Sequence, residues 1–265
     1  MGNYTVAFLD ILGFKRSIDN VPLEDLAHRY EYLVGQIGNW LNEASVKGVD
    51  INWIPLFPDP LRINKLCTRY FFSDSIILFS EDNTSKSCLN LLTYAWKFHQ
   101  VLLGAGVPIR GGITHGEMYI NKEQQIFLGK ALTDAYLLEK NQQWIGVAID
   151  KSVFTAFPDL DNLLKANDLL NSVFFEYDVP LKDGITQKMR TLNWRYNLKV
   201  EHGTRSLFPP THDERVLEKQ NNALKYDSAV VSAKKHCSQD RDQLPSMFRI
   251  YEVRNSKPLE NGDDL

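Results

Sequence analysis

Two aspartates stand where apolar strands end. Asp10 directly follows the apolar run 4–9, and Asp74 lies between the apolar runs 66–72 and 75–79, at the expected tip of a β-hairpin. A carboxylate beside an apolar core is costly unless a cation compensates its charge. Two carboxylates on neighbouring strands can hold two divalent ions, as phosphoryl-transfer sites do. We therefore expect metal-dependent phosphate chemistry, with turn capping by both aspartates as the alternative.

The turn after Asp10 is the expected phosphate-binding segment. Gly13 permits a turn in which successive backbone N–H groups point at one anion, and we expect Leu12, Gly13 and Phe14 to bind the phosphates of a nucleotide. The five-residue pattern from Asp10 to Phe14 is short enough to occur in an ordinary strand-to-helix turn, which is the competing interpretation.

Arg110 and Lys130 are among the candidates for the catalytic positive charge. Arg110 lies in a predicted strand, where it either stabilises the reacting phosphate or forms a salt bridge that orients Asp10 or Asp74. Lys130 begins a predicted helix, where the helix dipole disfavours a cation, so a phosphate partner is favoured over free solvation.

Hydrophobic periodicity predicts an α+β domain, an antiparallel-rich sheet with helices packed on one face. The predicted strands are 4–9, 66–72, 75–79, 107–113, 117–120 and 145–149, with the pair 107–113 and 117–120 turning at 115–116, and the predicted helices begin at 22, 88, 130 and 151. The proline-rich stretch 48–64 predicts an excursion that serves as a lid or an interface loop. The order βαββαββαβ indicates a palm-type domain over 1–156.

Residues 157–265 predict an α/β extension packed on the same domain. We expect strands near 173–178, 190–196 and 247–253, a charged helix at about 212–235, and a frayed acidic tail from about 256.

Composition narrows the class of protein. The 265 residues include 30 Lys and Arg against 33 Asp and Glu, a net charge of −3, and show no long basic run. A nucleic-acid-binding groove is therefore not predicted, whereas a free nucleotide remains compatible. The three cysteines lack zinc-ligand spacing, and no apolar run of membrane-spanning length occurs. We expect a soluble, cytoplasmic protein with no membrane or nucleic-acid partner.

Four segments resemble, in order and spacing, the motif blocks of class III nucleotidyl cyclases. They are AFLDILGF (7–14), YFFSDSIILF (70–79), VPIRGGITHGEMYI (107–120) and IFLGKALTDAYLLEKNQQWIG (126–146). Within that family the last block is most similar to the pyrimidine nucleotide cyclases of bacterial Pycsar antiphage defence. The resemblance implies a cytoplasmic homodimer that makes cyclic UMP or cyclic CMP as an alarm signal.

The resemblance also implies roles for individual residues. Asp10 and Asp74 would be the metal carboxylates, and the Ile11 carbonyl a further ligand, for two Mn²⁺ or Mg²⁺ ions. The 3′-hydroxyl of a bound nucleoside triphosphate would then attack its own α-phosphate.

Four positions depart from the family pattern. A base-reading Lys of purine-specific members falls at Tyr70, which favours UTP over a purine nucleotide and leaves CTP as the alternative. The ribose-orienting Asn falls at Thr133, the transition-state Arg at Leu137 and the second base-reading Asp at Ile126. Because leucine cannot stabilise an oxyanion, either another cation replaces the arginine or the protein binds nucleotide without turning it over. The candidate cations are Arg69, Arg110 and Lys130.

Overall fold

The computed structural model describes residues 1–46, 67–196, 198, 200 and 203–236. The predicted excursion at 48–64, the predicted strand at 247–253 and the predicted tail from 256 lie outside the described residues. Within the described part, no helix has the length and apolarity that crossing a bilayer requires.

A single sheet organises the described residues. Its strands are β1 (Gly2–Ile11), β2 (Thr68–Phe72), β3 (Ser75–Phe79), β4 (Ile109–Asn121), β5 (Ile126–Leu128), β6 (Val147–Ile149), β7 (Glu176–Pro180) and β8 (Thr186–Thr191). The order across the sheet is β2-β3-β1-β4-β6-β8-β7, with β5 paired to β4. Only the β4–β6 pair is parallel among these strands. The β2-β3-β1-β4 core has the order of a split βαβ unit, in which each helical crossover skips one strand.

The helices are α1 (Phe14–Asn20), α2 (Leu23–Val46), α3 (Ser85–Gly104), α4 (Lys130–Asn141), α5 (Lys151–Ala156), α6 (Pro158–Ala166), α7 (Asp168–Val173) and α8 (Glu214–His236). This combination confirms the predicted α+β class. The helices at 88–104, 130–140 and 151–156 and the charged helix near 212–235 were each predicted within a few residues of their observed bounds.

The two faces of the sheet carry different cores because side chains alternate along each strand. On the face called here the back face, Ala7 and Leu9 of β1 pack with Leu91 of α3 and Leu160 of α6 in the largest buried cluster. On the opposite face, the front face, Val6 packs against α4, and Ala148 of β6 belongs to a cluster with Ala223 and Tyr226 of α8. The expectation of helices on one face is therefore wrong, since α4 and α8 cover part of the front face.

The predicted turn at 115–116 does not exist. Ile109–Asn121 is one strand of 13 residues, which pairs antiparallel with β1 along most of its length and with β5 near its end. His115, expected in a turn, instead contacts Thr5 of β1 through its Nδ1 and packs edge-on against the Phe157 ring.

The segment after residue 156 extends the same sheet. β8 pairs with β6, and Arg16 of α1 donates a hydrogen bond to the Pro210 carbonyl just before α8. Strands β7 and β8 begin and end several residues away from the predicted 173–178 and 190–196, and α6 and α7 were not predicted. The division into 1–156 and 157–265 stays a prediction.

Candidate active site

The structure brings the two predicted metal carboxylates to the same end of the sheet. Asp10 pairs in register with Ser75 of β3, so Asp74 at the hairpin tip lies next to the end of β1. The Ile11 N–H donates a 2.9 Å hydrogen bond to the Asp74 carbonyl, which fixes the tip against β1. Asp10 lies on the same face of β1 as Val6 and Phe8, because alternate residues of a strand share a face, and its side chain therefore lies on the front face of the sheet. We call this region the carboxylate end.

The charge of Asp10 is destabilised in this position. Burial, followed by the nearby Glu139 and Asp74 carboxylates, raises the pKa of Asp10 from 3.8 to about 6, while Arg110 and Lys219 act in the opposite direction. Three carboxylates gathered around a half-buried position repel one another, and a bound cation relieves that repulsion.

The donor set fits a hard divalent cation. It contains only oxygen ligands, which Mg²⁺ and Mn²⁺ prefer. No group of three or more Asp, Glu, His or Cys side chains with metal-binding geometry occurs among the described residues. Magnesium is commonly held by one or two carboxylates and completed by water and substrate phosphates, so two aspartates with the Ile11 carbonyl are sufficient.

The turn after β1 places backbone N–H groups near the carboxylate end, but the Leu12 and Phe14 side chains pack away from it. Gly13 adopts a left-handed conformation, with φ 80°, that lets the chain reverse and begin α1 at Phe14. The Phe14 ring packs edge-on against Tyr30 at 6.0 Å, and Leu12 packs with the α8 cluster. The Leu12 and Phe14 side chains therefore do not face a phosphate. A phosphate can bind the N–H groups of Gly13 and Phe14, whereas the Leu12 N–H donates to the Pro108 carbonyl.

Arg110 forms an ion pair, but with neither aspartate. Its Nε donates to Glu139 of α4 at 2.6 Å, and its Nη1 donates to the Gln142 carbonyl at 3.0 Å. Both side chains of the pair are buried. The side-chain amide of Gln142 donates to the Gly111 and Leu138 carbonyls, which fixes the position of Gln142. Arg110 is thus a fixed positive charge opposite Asp10, its partner across the β1–β4 pair.

Glu139 and Lys219 were missed by the sequence reasoning. Glu139 continues the four-residue spacing of Ala131 and Ala135, the buried stripe of α4, and a charged residue on such a stripe requires a partner. The sequence therefore contained a pattern that marks Glu139 as a buried, paired charge. Lys219 lies on a charged helix distant in sequence, and no local pattern marks it.

The remaining predicted residues lie away from the carboxylates of the same chain. Tyr70 is two strands from β1, against Phe127 at a ring distance of 4.3 Å. Lys130 pairs with Asp134 one turn along α4, and Thr133 donates to the Gly129 carbonyl. We call the start of α4 the lysine end.

The lysine end is far from the carboxylates along the sheet. Gly129, just before α4, lies against Met118 of β4, and Met118 pairs with Gly2 at the opposite end of β1 from Asp10. At about 3.4 Å per residue, Gly2 lies about 27 Å along β1 from Asp10, so the lysine end is not beside the carboxylates.

No family model matches the sequence, and no curated protein matches it. Among solved structures, the chain is similar to the guanylate cyclase domain of RhGC from Catenaria anguillulae in complex with GTP, at 13% identity over 72% of this chain and 96% of that one, with a TM-score of 0.45. The adenylyl cyclase CyaB from P. aeruginosa is 14% identical over 76% of this chain and 95% of that one, with a TM-score of 0.44. The dimeric guanylyl cyclase domain of the RhoGC fusion protein from the aquatic fungus Blastocladiella emersonii is 14% identical over 72% and 97%, with a TM-score of 0.47. At such low identity, the chemistry of this chain has to be argued from its own side chains.

Proposed function

We propose that the protein is a pyrimidine nucleotide cyclase that converts UTP to 3′,5′-cyclic UMP and pyrophosphate. The observation that carries the proposal is the proximity of Asp74, at the tip of the β2–β3 hairpin, to Asp10 at the end of β1, with the destabilised charge of Asp10 beside the fixed charge of Arg110. This is an arrangement for gathering cations and phosphate, and it contains no nucleophile of its own.

The reaction is a displacement within one substrate molecule. The 3′-oxygen forms a bond to the α-phosphorus, the bond from that phosphorus to the oxygen bridging to the β-phosphate breaks, and the hydroxyl proton passes to water. Positioning and charge stabilisation supply most of the acceleration in such reactions.

Asp10, Asp74 and the Ile11 carbonyl would hold two Mn²⁺ or Mg²⁺ ions. When bound, the ions lower the pKa of the 3′-hydroxyl and neutralise phosphate charge. Asp10 supplies the carboxylate that gains most from a bound cation, because burial disfavours its charge. Arg110 adds a positive charge that cannot move away, since Glu139 and Gln142 hold it.

A homodimer explains the two separated groups of predicted residues. Lys130 and Thr133 lie at the lysine end, away from the carboxylates of their own chain. A second copy arranged head to tail would present them, together with Tyr70, to its partner's site. Leu128 and Leu137 lie near this region and are 62% and 51% exposed. Burial of such side chains against a second copy would stabilise the dimer.

Tyr70 supports a pyrimidine base. Its ring is held by Phe127 at 4.3 Å and Phe79 at 6.1 Å, so it cannot swing aside to enlarge a pocket for a purine. The smaller base of UTP is therefore favoured, with CTP as the alternative.

The test is incubation of the protein with Mn²⁺ and each of ATP, GTP, CTP and UTP, followed by mass identification of the product. Cyclic UMP with pyrophosphate is expected, and cyclic CMP would change the substrate within the same function. Binding of nucleotide without pyrophosphate release would establish the silent nucleotide-binding dimer that Leu137 suggests. The proposed antiphage signalling role predicts that cells lose protection against phage when Asp74 is replaced by alanine.

A further inference from the structure

Three segments distant in sequence meet beside the carboxylate end. The end of α4 is joined to the turn between β7 and β8, where the Lys182 N–H donates to the Asn141 carbonyl and the Gln143 N–H donates to the Pro180 carbonyl, each at 2.8 Å. These backbone bonds hold the turn against the helix end that carries Glu139.

Helix α8 joins the same junction through side chains. The Gln143 amide donates to Glu218 at 2.7 Å, and the Asn222 amide donates to the Gln143 carbonyl at 2.7 Å. Glu218 and Asn222 are one helical turn apart, so the two bonds hold this turn of α8 over the end of α4.

Lys219 lies between these two anchors and is half-buried. Burial, followed by the like charges of Arg110 and Lys182, lowers the pKa of Lys219, while Glu139 and Asp10 act in the opposite direction. Its charge therefore lies near two cations and two carboxylates. Among the described residues, its ammonium group forms no ion pair.

The position of the Lys219 ammonium group is unfavourable without an anion in contact with it. A partly desolvated ammonium that is repelled by two other cations and contacts no carboxylate loses hydration without an equivalent gain. The hydrogen bonds of Glu218 and Asn222 keep Lys219 in place despite that cost. An anion with several charges would be attracted to Arg110, Lys182 and Lys219 together, on the side of the metal carboxylates.

We propose that Lys219 binds the β- and γ-phosphates of the nucleotide held by Asp10 and Asp74 of the same chain. The segment after residue 156 would thus complete the site by supplying a phosphate-binding side chain from α8. This inference rests on the proposed function and gives the position of the triphosphate tail: it extends from the two aspartates toward the junction of α4, the β7–β8 turn and α8.

The experiment uses pyrophosphate, because pyrophosphate binding does not depend on the base. Calorimetry in Mn²⁺ would compare the wild-type chain with Lys219→Met, Lys219→Gln and Lys219→Arg. Lys225→Met is the matched control, since Lys225 is exposed on the same helix and contacts only Asn222 through its ammonium. We expect Lys219→Met and Lys219→Gln to bind pyrophosphate roughly 10–100-fold more weakly. Lys219→Arg should retain most of the affinity, and Lys225→Met should match the wild type.

A purely structural role for Lys219 predicts the opposite pattern. Thermal denaturation would then show a lower melting temperature for Lys219→Met, with pyrophosphate affinity unchanged in the folded protein. Our inference predicts an unchanged or higher melting temperature, since the substitution removes a repelled charge. If Lys219→Met does not fold, the uncharged but polar Lys219→Gln provides the same comparison.

The two proposals can fail separately. Equal pyrophosphate affinity in the wild type and Lys219→Gln overturns the role of Lys219, even if the wild type makes cyclic UMP. Absence of a cyclic product from all four nucleotides overturns the cyclase, even if Lys219→Gln binds pyrophosphate more weakly than the wild type. Absence of pyrophosphate binding by the wild type in Mn²⁺ overturns the role of Lys219 directly.

Discussion

The two ends of helix α4 carry close ion pairs of very different consequence. At the carboxylate end, Arg110 Nε donates to Glu139 at 2.6 Å and a second guanidinium nitrogen contacts the same carboxylate, and at the lysine end Lys130 Nζ lies 2.6 Å from Asp134. The first pair has side chains only 8% and 4% exposed, and the second has side chains 77% and 41% exposed. Water screens the second pair and has little access to the first. Distance alone therefore does not identify a functional charge, whereas burial beside further charges does.

The largest effect is expected from Asp74→Ala. Loss of a metal ligand should lower the rate of pyrophosphate release by roughly 10²–10³-fold or more. The melting temperature should change little, because Asp74 lies in a turn and contributes no buried apolar side chain. Glu123→Ala, which removes an exposed carboxylate from the turn between β4 and β5, is the control and should retain activity. Full activity in Asp74→Ala would contradict the assignment of the carboxylate end as the active site.

Glu139→Ala should destabilise the fold strongly. Arg110 would remain buried without its carboxylate, at a cost of about 3–5 kcal/mol in the free energy of unfolding. Asp134→Ala should cost less than about 0.5 kcal/mol. Urea denaturation of both variants tests the contrast, and similar costs would refute it. Because the penalty comes from an unpaired charge, the double variant Arg110→Met with Glu139→Leu should recover most of the stability.

Alanine substitutions at two glycines of β4 compare how closely the two ends of α4 pack on the sheet. A Cβ at Gly112 would lie 2.5 Å from the Ala135 carbonyl oxygen and 2.9 Å from the Leu138 Cβ, so Gly112→Ala must push the helix away. We expect a loss of about 1–3 kcal/mol in unfolding free energy. At Gly116 the nearest atom would be the Ala131 Cβ at 3.7 Å, which is ordinary contact. Gly116→Ala should therefore be close to neutral, and urea denaturation would show whether the two substitutions differ.

The smallest effect is the pH dependence of Asp10. Its folded pKa of about 6 exceeds the ordinary value of 3.8, so between these values the folded state retains a proton that the unfolded state releases. Stability from this group is therefore lost as pH rises through that window. In EDTA, Asp10→Asn should raise the melting temperature by about 2–4 °C at pH 8, because solvent screening limits the gain to about 1 kcal/mol.

The gain from Asp10→Asn should shrink as the pH falls below 6 and vanish below the ordinary pKa of 3.8, where the wild-type carboxyl is protonated in both the folded and the unfolded state. A gain that does not change with pH would mean that the Asp10 charge is not destabilised by its surroundings.

Local patterns predicted most elements around the site because those elements have strong periodicity. The β2–β3 hairpin and α3 follow from apolar spacing and a short polar turn. β4 was divided in two because glycine commonly marks a turn or a break. The predicted break was at 115–116, where the strand in fact continues. Gly112 in the same strand is required by the close approach of α4, a reason that lies 23 or more residues away in sequence. Hydrophobic spacing records which face is buried but not which helix covers it.

The positions of Asp10 and Asp74 were determined by the sequence alone, since a carboxylate at a strand end and another at a hairpin tip follow from local patterns. Tertiary structure decided the rest of the electrostatics. Arg110 pairs with Glu139 instead of an aspartate, and α8 brings Lys219 within electrostatic range of Glu139 and Asp10. The reason is physical: a local pattern depends on the neighbouring few residues, whereas the partner of a buried charge depends on which elements the whole core brings together.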